Sequence, residues 1–373
     1  MNINNISRAN FQNNFIEINL KHSSMKSIGA QSHSSMENVS AKSNNGDNLE
    51  ISSTAVSKYE FSNRLKEAFK NGKEDGKFIE NVANEYMKIK QEIKGENCSE
   101  ITKENINMLD ETLKDVIDYG VEEISNKFDA FFNYSSNMLS VYGMKTDEET
   151  FDKEEFKKNL DSLMNSVVDT IKSSPDNIKK EDLNEKINSI LSSKENNGSL
   201  EKMGFEDIKK VDSILSKLPR LSFSDSIDGI KDIIKNYRKG ADKLIDSSDL
   251  SDNIKENLKK SVRKNVRAYG KVSTYKHVMN NYKDELEKLM SLYASLSSQY
   301  DSLEKDIKKC MKENNLKMIK SLLKMQMNLQ KEMNNLKIRI DKEGKEKDSL
   351  ENNPDSIEGT EEFKKVSEAF NEE

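Results

Sequence analysis

From Tyr275 to Cys310 the apolar residues fall in an alternating four-and-three rhythm: Tyr275, Met279, Tyr282, Leu286, Leu289, Tyr293, Leu296, Tyr300, Leu303, Ile307 and Cys310. That rhythm is the a/d seam of a coiled coil, with Lys, Glu, Asp and Ser on the remaining faces. At about 1.5 Å per residue the segment makes a rod of roughly 54 Å. A rod with one apolar seam must bury it against another helix. The chain is therefore expected to pack helix on helix, as an all-α, elongated helical bundle.

After Cys310 the rhythm fails, because the next seam positions are Asn314 and Lys317. A new phase runs Ile319, Leu322, Gln326, Leu329, Met333, Leu336 and Ile340. Between the two lies Lys312-Glu313-Asn314-Asn315. A register break holding two Asn favours a turn, so residues 271–345 read as an antiparallel coiled-coil hairpin. The alternative is one continuous helix with a phase skip. The residues expected to carry interaction are Tyr275, Tyr282, Leu286, Leu289, Tyr293, Leu296, Tyr300, Leu303, Leu329, Met333 and Leu336.

Upstream, residues 1–52 are rich in Asn and Ser without sustained apolar period and read as a disordered tail. Residues 53–195 read as an N-terminal helical bundle with stripes such as Phe61, Leu65, Phe69 and Ile79, Val82, Tyr86, Ile89, Ile93. A long helix is expected from Ser99 to about Tyr142, with Gly120 marking a close crossing or a kink. Thr146-Asp147-Glu148-Glu149 has the spacing of a capping box opening the next helix. The polar run 192–199 is the expected internal boundary. Residues 200–270 form a further helical segment, with Ser251 as an N-cap and Gly270 separating it from the rod or bending it. Residues 346–373 read as an acidic, frayed C-terminal tail.

Composition agrees with thin bundles: 34% of residues are apolar, 34% charged, with 14 Gly, 3 Pro and no Trp. Acids (66) and bases (60) nearly cancel, so no nucleic-acid partner is expected. Cys98 and Cys310 make no C-x-x-C, which suits a reducing compartment or no redox role. No stretch of eighteen apolar residues can span a bilayer. The first thirty residues lack a Sec signal pattern, so a cytoplasmic location, or export by a route without a signal peptide, is expected.

No catalytic, cofactor-binding or metal-binding residue is expected. Of His22, His33 and His277, none stands at ligand spacing with Cys or a carboxylate. Neither a Walker A nor a G-x-G-x-x-G motif occurs. Asp242 to Asp252 is acidic, yet an EF loop starting at Asp246 would need an acceptor at Leu250 and a glycine at Ser251. One cationic stretch stands out, with Lys259, Lys260, Arg263, Lys264 and Arg267 at its centre. It can touch anionic lipid, nucleic acid or an acidic partner, or else pair with an acidic neighbour inside the same fold; the in-fold pairing is preferred. The methionines of the C-terminal third, Met327 above all, fall partly off the seam and suggest some exposure.

Residues 47–56, Asp-Asn-Leu-Glu-Ile-Ser-Ser-Thr-Ala-Val, resemble the segment that precedes the helices of the anti-sigma factor of bacterial flagellar operons. The resemblance spans about ten residues and implies a bacterial, flagellum- or export-associated protein; the sigma-binding residues are not carried over. The leading functional expectation is a non-enzymatic helical protein that binds a protein partner or itself through coiled-coil surfaces. The alternative is a secreted, toxin-like helical effector that engages membranes.

Overall fold

A computed structural model describes residues 53–73, 76–95, 99–146, 150–192 and 200–370. The expected tail 1–52, Cys98 and residues 193–199 of the expected boundary lie outside them. Among the described residues there is no strand. The helices are α1 (Ser53–Asn71), α2 (Phe78–Gly95), α3 (Ser99–Phe132), α4 (Tyr134–Val141), α5 (Lys153–Ser173), α6 (Lys180–Leu191), α7 (Phe205–Lys217), α8 (Ile227–Asp246), α9 (Asp252–Lys312), α10 (Leu316–Asn352) and α11 (Glu361–Glu368), with 3-10 turns at Leu200–Lys202 and Pro354–Gly359.

The body is held by one continuous apolar core drawn from α1 to α9, with Val366 of α11 and the adjoining Ala369 added to it. Each helix adds one stripe at helical spacing, as in Phe61, Leu65 and Phe69 of α1 or Phe156, Leu160, Leu163 and Val167 of α5, so burial on one side decides the packing. Gly120 is a close crossing: a Cβ there would lie 2.5 Å from Cε2 of Phe69, which itself meets Phe78 edge to face with ring centroids 5.0 Å apart.

Three local expectations change. The helix from Ser99 does not run unbroken to Tyr142: α3 ends at Phe132 and α4 starts at Tyr134, with φ of -100° and ψ of 7° at the intervening Asn133, whose side chain turns to the neighbouring loop. Its Nδ2 donates to Phe151 O (2.9 Å) while its Oδ1 accepts from Phe151 N (2.8 Å). The cap of the next helix is Asp152, which accepts from Glu155 N at 2.9 Å, not Thr146; residues 147–149 of the expected capping box lie outside the described residues. The C-terminal segment is not frayed within its described part, which ends at residue 370. Ile357, Phe363, Val366 and Ala369 are buried, and α11 packs on α8 and α9. Acids dominate that segment's composition and mask the few apolar residues that dock it.

Helix α9 is the axis of the molecule, 61 residues and roughly 90 Å at helical rise. It passes through Gly270 without interruption, so the expected segments 200–270 and 271–345 share it. Ser251 sits at its N-cap position but its side chain makes no capping bond. From Ala268 to Tyr275 every residue of α9 is buried. Neighbours surround it there, and Gly270 lets the Phe370 ring approach to where a Cβ would meet Cζ at 2.7 Å. A second, small apolar cluster of Met144, Val272, Tyr275, Val278, Leu350 and Ile357 closes this junction.

Candidate interaction surface

Beyond the junction, α9 and α10 continue side by side as an antiparallel helical hairpin, an arm of roughly 45 Å counted from residue 283 to the turn. The turn is built from backbone geometry. Asn314 adopts φ of 55° and is the only positive-φ residue other than glycine among the described residues. The amides of Asn314 and Asn315 donate back to Met311 O (3.3 Å) and Cys310 O (3.1 Å), a Schellman arrangement in which Asn tolerates the left-handed position. Asn315 then caps α10, its Oδ1 accepting from Met318 N at 3.2 Å. The two asparagines that broke the register are the ones that make the turn.

The seam runs in the expected phase. Every α9 position of the rhythm from Tyr275 to Cys310, and every α10 position from Ile319 to Ile340, is buried or half-buried. Leu289, Ile307 and Leu336 are the most enclosed between the junction and the tip. Arg339 of α10 donates to Glu285 of α9 at 3.0 Å and ties the two helices.

The expected interaction residues thus meet one another. Tyr275 lies in the junction, edge to face with Tyr142 at 6.0 Å. Tyr282 packs beside it, its hydroxyl pKa raised by burial and then by Glu346, Glu343 and Glu362. Leu286, Tyr293, Leu296, Tyr300, Leu303, Leu329 and Met333 are half-buried along the seam with Leu289 and Leu336. The apolar side chains left outside are others: Met290, Leu292 and Ile338 along the arm, and Met311, Leu316, Met318, Leu323, Met325 and Met327 near its tip. The methionine-rich run is their one signal in the sequence, with Met311, Met318, Met325, Met327 and Met333 its members and Met327 off the seam.

The cationic stretch sits back at the body. Lys260, Arg263, Lys264 and Arg267 line a groove of about 540 Å³ with Lys145, Asp355 and Glu358, and Lys271 at its base. Much of its charge is answered within the fold. Lys259 pairs with Asp246 (2.7 Å), which raises its pKa; Arg263 pairs with Glu256 (3.3 Å); Arg267 approaches Glu358 at 4.0 Å. Buried Lys271 reaches Asp355 at 2.6 Å and Glu358 at 2.8 Å. Burial works against the Asp355 carboxylate, but Lys271 and the Lys145 amide outweigh it and hold its pKa below the usual range. Further along, Lys276 lies 3.6 Å over the Phe223 ring, its pKa lowered by burial against the opposing pull of Asp225.

His277 is engaged at both nitrogens, Nδ1 with Asp225 O (2.8 Å) and Nε2 with Asn281 Nδ2 (3.0 Å). Among the described residues no group of three His, Cys, Asp or Glu is arranged to hold a metal, and no helix is long and apolar enough to cross a membrane. No family model, curated protein or solved structure matches the chain.

Proposed function

We propose that this is a non-enzymatic helical interaction protein whose working element is the arm, a coiled-coil hairpin held away from the body. The observation that carries this reading is the division of the arm's apolar residues. Its seam is satisfied internally, while Met290, Leu292 and Ile338 remain outside at mid-length. These side chains stand on different faces of the arm, Met290 and Leu292 on opposite flanks of the α9 seam and Ile338 on the outer side of α10, and each offers an apolar point for a helix of a protein partner or for a second copy. The resemblance at residues 47–56 supports a bacterial, export-associated setting.

The reading is tested in native cells with a photo-crosslinking amino acid at Leu292 or Ile338, and at exposed Tyr59 of the body as control. Crosslinks to one protein, or to a second copy, from the arm but not from Tyr59 would support it. Crosslinks from Tyr59 alone, or none from the arm, would refute it.

A further inference from the structure

The arm's tip has a chemistry different from its middle. Residues 305–327 hold seven lysines against Asp306 and Glu313, in a chain whose net charge is -6. Lys308 pairs with Glu304 at 2.6 Å. Among the described residues, no carboxylate lies within 4.0 Å of Lys309, Lys312, Lys317, Lys320 or Lys324. The body's cationic groove is the opposite case, with Arg263, Arg267 and Lys271 already facing acids. Among the described residues, the tip is therefore a cationic surface that these acids leave free.

The same surface is apolar. Leu316 is 79% exposed, Met327 71% and Met318 50%. Leu316, Leu323 and Met327 recur at i, i+7 and i+11 and share one flank of α10; Met318 and Met325 share the other. Lys317, Lys320 and Lys324 recur at i, i+3 and i+7, forming a ridge between those flanks and away from the seam.

We infer that the tip docks on an anionic lipid bilayer, its Leu and Met side chains entering the boundary between headgroups and acyl chains while its lysines contact phosphates. Two features favour a lipid surface over an acidic protein helix. The apolar side chains flank the lysine ridge on both sides of a convex two-helix end, so they do not converge on one groove for a helix. Long lysine stems also lie along apolar surface with the ammonium at headgroup level. This goes beyond protein binding at mid-arm and uses different residues, so either can fail alone.

The test uses the full chain with vesicles of phosphatidylcholine alone or with about a third phosphatidylglycerol. The chain has no Trp, so Leu323→Trp or Met327→Trp gives a sole indole reporter. The expected result is co-sedimentation and a blue-shifted indole with anionic vesicles only. At roughly fivefold per lysine, the triple variant Lys317→Gln/Lys320→Gln/Lys324→Gln lowers partitioning on the order of a hundredfold. Lys260→Gln/Lys264→Gln in the body groove leaves it unchanged, and circular dichroism confirms equal helicity in all variants. No association with anionic vesicles, equal association with neutral ones, or partitioning that ignores the triple variant would overturn the inference. So would a groove variant that abolishes it. A mid-arm crosslink that persists alongside any of these failures would leave the protein-binding reading standing.

Discussion

The junction of body, arm and C-terminal segment turns on Lys271, and a graded set of carboxylate-to-amide changes measures how much. Lys271 is 6% exposed and reaches two carboxylates, Asp355 at 2.6 Å and Glu358 at 2.8 Å. Glu358→Gln removes the more exposed partner, so solvent screening holds its cost to about 1 kcal/mol or less. Asp355 also accepts the backbone amide of Lys145, and Asp355→Asn should cost about 1.5–3 kcal/mol, as for a charged hydrogen bond. The double variant leaves a buried ammonium without either partner and should cost about 3–5 kcal/mol.

Urea unfolding gives the totals, and hydrogen exchange locates them, with earliest loss of protection in residues 354–369. The Asp355 pKa is lowered in the fold, so its contribution is present above the unfolded value near 3.9 and fades as pH falls through the folded one. Asp355→Asn should therefore flatten the acid side of the stability profile. Three variants within 0.5 kcal/mol of the parent, or exchange that rises first at the arm tip, would refute the assignment of Lys271 as the anchor (a difference of about that size is ordinary for surface changes).

Two further outcomes follow from backbone geometry. Asn314→Gly should hold or slightly raise stability, whereas Asn314→Val should cost about 1–2 kcal/mol in urea melts, because a β-branched residue is strained at φ of 55°. Gly120→Ala gains roughly 1 kcal/mol of helix propensity but drives a Cβ to 2.5 Å from the Phe69 ring, and overpacking of about 1–3 kcal/mol should leave a net loss in thermal denaturation.

What was legible in the sequence was whatever repeats. The heptad seam, its break at Asn314-Asn315 and the phase from Ile319 to Ile340 survive in the fold because a period of 3.5 leaves one side of a helix to bury. Gly120 was readable as a close crossing or a kink, because a glycine within an apolar stripe fits either, and the Phe69 ring against it makes it the crossing. Contacts that join distant segments were not legible. Asn133 leaves its helix for Phe151 O and N, and nothing local to residues 99–142 announces that partner. Phe363, Val366 and Phe370 sit among acids, and the Phe370 ring docks in the space above Gly270, about a hundred residues away in the chain. The outward residues of the arm were obscured for another reason. Periodicity identifies what is buried, so Leu316 and Leu323 emerge only after the seam has been closed.

The claim beneath all of this is that α10 folds back along α9. Pulsed electron resonance between spin labels at Lys288→Cys and Lys337→Cys, in a chain with Cys98→Ser and Cys310→Ser, tests it directly. Adjacent helices with axes about 8–10 Å apart predict a label distance of roughly 15–25 Å. A distribution centred near 70 Å, the span of a continuous helix over that stretch at about 1.5 Å per residue, would contradict it.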